Sequence, residues 1–286
     1  MGAYDLPKAI AVRSLEYPEK KNMWASIVAV LVGMTGAVAP HTRLVVTAYD
    51  YAFSAPDSVT SGVVTVRLVN RGKLDHQVVL MRLDDTSTMQ RVMQTLVANK
   101  VHTTGVHSVS GVENARPGET NETTILLLPG RYVLLCELPG ADNKAHVSKG
   151  MLHALLVTPG HVAADTVLPP TVATVRLTDY RIALSAPLRP GTRLVRVEND
   201  GLQRHHLIVA RILHGATLEE IDKWDGKSEP APLEEIGGAS ALDPGYASVT
   251  ALRVTPGRYL LACVLEGGPA SKPHYMLGME TETIVR

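Results

Sequence analysis

The chain writes one long pattern twice. "VRLVNRGKLDHQVVL" (Val66–Leu80) returns as "VRVENDGLQRHHLIV" (Val195–Val209), which sets Asn70 against Asn199 and His76 against His205. "PGETNETTILLLPGRYVLLC" (Pro117–Cys136) returns without a gap as "PGYASVTALRVTPGRYLLAC" (Pro244–Cys263). "TAYDYAFSAP" (Thr47–Pro56) is set against "TDYRIALSAP" (Thr178–Pro187), His146 against His274, and Met151 against Met279. The period is about 130 residues, far longer than a solenoid unit, so the pattern predicts two copies of one domain. The chain has 286 residues, enough for two domains of ordinary size. The expected divisions are a tail at 1–40, a first domain at 41–158, a linker at 159–170 and a second domain at 171–286. "TPGHVAADTVLPP" (Thr158–Pro170) is rich in the turn and small residues that linkers use.

Within each copy the runs are those of strands. "RLVVTAYDYAF", "GVVTVRLVN", "HQVVLMRL", "TTILLL" and "RYVLLC" are short, rich in Val, Leu and Thr, and separated by Pro-Gly or Asn-x-Gly turns. They predict an all-β fold of two tandem sandwiches. Each copy also carries one helical insert after the strand that begins at His76 or His205. In "STMQRVMQTLVANK" a capping box is expected between Ser87 and Gln90, with Met89, Val92, Met93 and Leu96 on the core face. In "TLEEIDKW" the box is Thr217 and Glu220.

Composition narrows the function. The 28 basic and 28 acidic residues leave no net charge, which argues against nucleic acid as the main partner. Two cysteines in equivalent places make neither a disulfide framework nor a bond to each other. At the N-terminus, Lys20 and Lys21 precede the apolar run 24–39, which ends in Ala37-Val38-Ala39 before Pro40. This is the pattern of a cleaved export signal or, uncleaved, of a membrane anchor. Both readings place the rest of the chain outside the cytoplasm, in the periplasm, secreted, or anchored and facing outward.

The chemistry concentrates at four places per copy. A histidine begins a strand after an Asn-x-Gly turn, a cysteine ends a later strand, and a loop then supplies histidine and methionine in His-x₄-Met spacing. Two imidazoles, one thiolate and a weak thioether form the donor set of a blue-copper site. The soft thiolate favours Cu(I) and bonds covalently to Cu(II), while the thioether tunes the potential. The bland readings are strand-end histidines with a buried apolar cysteine, or a sandwich whose loops have lost the metal. Nine residues separate Cys136 from His146 and ten separate Cys263 from His274, so each loop must fold back on itself. His102, His107, His153, His161 and His214 have no ligand spacing, and "NET" at Asn121 fits a glycosylation sequon. No phosphate loop, Gly-x-Ser-x-Gly or His-Glu-x-x-His is present.

These residues resemble the cupredoxin family of blue-copper proteins, over about 42–158 and 171–286. "HQVVL" after "VNRGKLD" is similar to the first-histidine strand of plastocyanins. "HVSKGMLHALLVTP" resembles the copper loop of the first domain of two-domain copper nitrite reductases. The resemblance implies Greek-key sandwiches with one type 1 copper per domain. Its ligands would be His76, Cys136, His146 and Met151, and then His205, Cys263, His274 and Met279, with His206 as the alternative to His205. Leu135 and Ala262 stand where nitrite reductases place a catalytic histidine before the cysteine, and the His-x-His pairs of laccase-type oxidases are missing. The expectation is an electron carrier or copper-holding protein rather than an enzyme, served by a redox partner or a copper donor. The alternative is a pair of metal-free structural or recognition domains.

Overall fold

The computed structural model describes residues 42–98, 105–160, 167–224, 226, 228–267 and 272–286. The expected N-terminal signal or anchor, His102, His161 and half of the expected linker (161–166) lie outside the described residues.

In the first half the strands are β1 (Thr42–Tyr49), β2 (Ala52–Ser54), β3 (Ser58–Thr60), β4 (Gly62–Asn70), β5 (His76–Leu83), β6 (Val106–Ala115), β7 (Thr120–Leu127), β8 (Gly130–Leu135) and β9 (Leu152–Thr158). In the second half they are β10 (Ala173–Thr178), β11 (Arg181–Leu184), β12 (Gly191–Asn199), β13 (His205–Ile212), β14 (Leu233–Leu242), β15 (Ala247–Val254), β16 (Gly257–Ala262), the short pair β17 (Glu266–Gly267) and β18 (Lys272–Pro273), and β19 (Glu280–Val285). Helix α1 (Met89–Val97) follows β5, and α2 (Leu218–Asp222) follows β13.

Two layers run through both halves. One sheet has eight strands in the order β11-β10-β12-β15-β7-β4-β1-β2, and the other nine, in the order β19-β16-β13-β14-β6-β5-β8-β9-β3. This is a two-layer all-β sandwich architecture, with the inner faces packed on one core in each half. The halves join edge to edge. β6 pairs antiparallel with β14 (Val112↔Ala239, Val109↔Leu242), and β7 with β15 (Ile125↔Ser248). Each pairing consumes two edges that would otherwise template aggregation. Small hydroxyl residues seal the joint: Ser108 Oγ donates to the Ala241 carbonyl at 2.7 Å, and Ser110 and Ser248 hydroxyls meet at 2.9 Å. Arg116 reaches across to Glu234 at 2.9 Å.

Two sequence expectations need correction here. The cap of α1 is Thr88, whose side chain accepts from the Arg91 N–H. The helix starts at Met89, so Ser87 stands one residue before the cap, and its hydroxyl donates to the Gly105 carbonyl. The box of α2 is Thr217 with Glu220, both arms formed. The second correction concerns "TAYDYAFSAP". Strand register pairs Ala48 with Asn70 and Leu177 with Asn199. Asp50 therefore matches Asp179, and Tyr51 matches Tyr180, two residues out of step with the motif alignment. The Ser-Ala-Pro ends are preceded by a two-residue insertion in the second half, which misled the ungapped comparison.

Candidate metal centres

Strand alternation puts His76 on the same face of β5 as Val78 and Leu80, which point into the first core. β8 runs antiparallel beside it, Val79 opposite Leu135, so the next residue, Cys136, arrives next to that histidine's strand. The loop then returns: His146 N–H donates to the Leu138 carbonyl, Val147 N–H to Cys136 and Met151 N–H to His146, at 2.8–3.1 Å. Cys136 N–H closes the ring on the Met151 carbonyl at 3.3 Å. A 3₁₀ turn, His146–Lys149, ends at Gly150, whose φ of 96° allows the reversal. The second half repeats the set. His274 N–H bonds to Leu265, Tyr275 N–H to Cys263, Met279 N–H to His274 and Cys263 N–H to Met279, all at 2.8–3.1 Å.

The donors meet in both places. Cys136 Sγ lies 3.5 Å from His146 Nδ1, and Cys263 Sγ lies 3.5 Å from His274 Nδ1. His205 Nδ1 and His274 Nδ1 are 3.0 Å apart. The donor atoms of His76, Cys136 and His146 all lie within 4.8 Å of one another, as do those of His205, Cys263 and His274. All six residues are buried, and the sulfur-bearing Met151 and Met279 sit fully buried in the same core clusters as their cysteines.

The surroundings fit an ion. His76 Nδ1 is buried and has no hydrogen-bond partner. Its other nitrogen, Nε2, faces Asp50 Oδ1 at 3.4 Å, and His205 Nε2 faces Asp179 Oδ1 at 3.0 Å. A ligating imidazole is oriented in this way when its far nitrogen donates to a carboxylate. Asp50 also accepts from the Lys73 and Leu74 amides, and Asp179 from Leu202 and Gln203. Burial works to raise both carboxyls, but these bonds hold them below the ordinary value, so they are anions. The turn glycine permits the contact: a Cβ on Gly72 would lie 2.4 Å from Asp50 Oδ1, and one on Gly201 would lie 2.5 Å from Asp179 Oδ1.

Burial lowers the basicity of His76, His146, His205 and His274, which keeps them neutral and able to donate a lone pair. Burial pushes the Cys136 thiol up to about 12 and the Cys263 thiol to about 11. Without an ion these are inert thiols; an ion taking the place of the proton makes each a thiolate. Two imidazoles, a cysteine and a buried methionine per half are compatible with one type 1 copper in each.

His205, not His206, joins the second cluster. His206 points to the other face of β13, where its Nε2 accepts from the Val264 N–H at 2.7 Å. His107 bridges Asp84 and Asp243, and His153 bonds the Pro56 carbonyl, so neither approaches a cysteine site. His214 sits in a turn at φ 54°. Asn121 lies in β7 with its amide donating to the Asn114 carbonyl. Asp50 and Asp179 are the residues that sequence reasoning missed. The signal was present as an aspartate–tyrosine pair before each β-bend, masked by the two-residue slip.

No protein-family model matches the chain, and no curated protein matches it. Solved structures do. Dithionite-reduced auracyanin from Roseiflexus castenholzii is 19% identical, covering 41% of this chain and 98% of that one at a TM-score of 0.30. A copper-containing nitrite reductase from Thermus scotoductus is 15% identical, covering 86% and 61% at 0.24. A blue copper oxidase from Nitrosomonas europaea is 15% identical, covering 86% of each chain at 0.26. At these scores the likeness says nothing about activity.

Proposed function

We propose that the protein is an exported electron carrier with two cupredoxin-like domains, at 41–158 and 171–286, each holding one type 1 copper. The observation that supports this most is the double convergence: a buried cysteine sulfur 3.5 Å from an imidazole nitrogen, with a second buried imidazole beside it, in both halves. The residues that would hold the copper are His76, Cys136, His146 and Met151 in the first half and His205, Cys263, His274 and Met279 in the second, with the thioethers as the weak donors.

Copper bound there supplies a one-electron couple between Cu(I) and Cu(II). The chain's part is to hold the donors still. His76 and His205 are fixed by strand and carboxylate, His146 and His274 by backbone bonds that tie their loops to the cysteines. Tyr51 and Tyr180 set ring edges on His146 and His274, with centroids 5.2 and 5.6 Å away. Ligands held this way reorganise little when the charge changes, which suits electron transfer and not bond-making.

Copper-loaded protein should bind two equivalents and absorb strongly at about 600 nm, the range of copper–thiolate charge transfer. Cys136→Ser and Cys263→Ser should each remove one equivalent with the fold intact by circular dichroism. Met151→Leu should keep its copper and shift the reduction potential. A wild-type chain that takes up no copper, or serine variants that bind as much as wild type, would sink the proposal.

A further inference from the structure

The outer face of the nine-stranded sheet is treated differently in the two halves. In the first, α1 lays Val92 and Leu96 on Val79, Met81, Leu83, Val133 and Leu135. In the second, α2 has five residues and buries none of them. A cleft of about 920 Å³ stands open there. Its floor is apolar, from Ile208, Ala210, Leu260 and Ala262, and Trp224 and Tyr275 contribute aromatic surface to its lining. That volume lies in the range of small-molecule sites, about 300–1,000 Å³.

The cleft's charge is one-sided. Asp75, Asp222, Glu229, Glu234, Glu235 and Glu280 line it, and among its described lining residues Arg116 is the only cation. Arg116 is already engaged by Glu119 and Glu234, at 2.8 and 2.9 Å. Asn114 touches both Asp75 and Glu235 through its amide, at 3.2 and 3.4 Å, and brings them to one wall. Glu235 Oε1 is shielded from solvent and has no hydrogen-bond partner. Trp224 is held in place by its indole N–H, which donates to the Ser228 carbonyl at 2.8 Å.

We propose that this cleft binds a small organic cation with an apolar body, of the aryl-alkylamine class. The ammonium satisfies the carboxylate wall at Glu235, and the apolar body lies on the sheet against Trp224 and Tyr275, where aromatic faces also favour a cation. The cleft lies against the second metal centre. Ala262 and Val264 flank Cys263 in the chain, and Tyr275 follows His274. The binding itself needs no copper.

The test is calorimetric titration of the full chain, copper-free, with three probes of nearly one shape: phenethylamine, phenethyl alcohol and 3-phenylpropionate. Phenethylamine should bind at least about tenfold tighter than the alcohol, and the carboxylate should not bind. Glu235→Gln and, at an exposed position, Asp222→Asn should each weaken the amine severalfold and leave the alcohol unchanged. Equal affinity for amine and alcohol, no binding of the amine at millimolar concentration, or an amine affinity indifferent to both variants would overturn the proposal. So would tight binding of Ca²⁺ that excludes the amine and is lost in Glu235→Gln, which would make the wall a metal site. Because the measurement is made without copper, its failure leaves the metal centres untouched.

Discussion

The two halves hold their histidine and cysteine side chains in nearly the same way and cover their outer sheet faces in different ways. Inside, each half sets Cys Sγ 3.5 Å from a loop histidine and ties the first histidine to an aspartate. Outside, nine-residue α1 closes one face, while five-residue α2 leaves the other as an acidic cleft. The donors depend on the inner face and on strand ends, so the outer face is free to diverge without moving them. A strand's two sides answer to different neighbours, and this molecule uses that separation.

The largest difference should appear in packing. Leu96 is buried on the sheet-facing side of α1, so Leu96→Ala should cost about 2–5 kcal/mol of stability, read by urea denaturation. Ile221 lines the open cleft and is only half-buried, so Ile221→Ala should cost less than about 1 kcal/mol. Equal losses would mean that the second face is closed in solution.

The carboxylates behind the first histidines come next. Asp179→Asn and Asp50→Asn should each lower copper affinity by about 10–100-fold in a competition titration. Asp179 should be the more sensitive, because its contact to His205 is 3.0 Å against 3.4 Å in the first half. Unchanged affinity in both variants would remove these residues from the centres.

The halves should also differ in pH response. Burial raises the Glu235 carboxyl from its ordinary 4.5 to about 7, with Asp75 adding to the rise while Asn114 and Arg116 oppose it. Strand register puts Ser108 at the matching place in the first half. Between about 4.5 and 7 the folded chain keeps a proton that the unfolded chain releases, so stability falls as pH rises through that window and levels off above it. Glu113, buried beside it and raised for the same reason, acts in the same direction. Glu235→Gln should flatten part of the fall between pH 4.5 and 8. A variant whose stability follows the wild-type curve would show that Glu235 is ionised in the fold.

The smallest effect concerns the caps. Thr217→Ala removes the side-chain arm of the capping box together with the hydroxyl's own bond to Glu220, and should cost about 1 kcal/mol. Thr88→Ala removes one bond, at 3.3 Å, and should cost about half as much. The reverse order in denaturation midpoints would show that α1 depends on its cap more than α2 does.

The meeting of a strand-end histidine, a cysteine and a loop histidine in each half, seen at His76, Cys136 and His146 and at His205, Cys263 and His274, was legible in the sequence. A strand end and a fixed loop spacing are local properties, and seeing the pattern twice separated it from chance. The strands β4, β5 and β8 were legible for the same reason: Val and Leu runs between turns report a buried sheet wherever they occur. The choice of His205 over His206 was not legible, because adjacent residues differ only in which face they take, and that is set by how β13 pairs with β14. Nor were β6 and β14. "VHSVSGVENA" and "LEEIGGASAL" carry Ser, Gly, Glu and Asn, which read as loop, yet Ser108, Ser110, Glu113 and Ser240 are buried. They are strands because β5 pairs along β6 and β13 along β14, and each of the two then covers the other's open edge. The chain alone determined which side chains could hold a metal, since donor chemistry and local spacing travel with the residues. The tertiary structure alone decided the joining of the halves, the carboxylates behind the histidines and the open acidic cleft, since each is a contact between segments that the sequence does not place side by side.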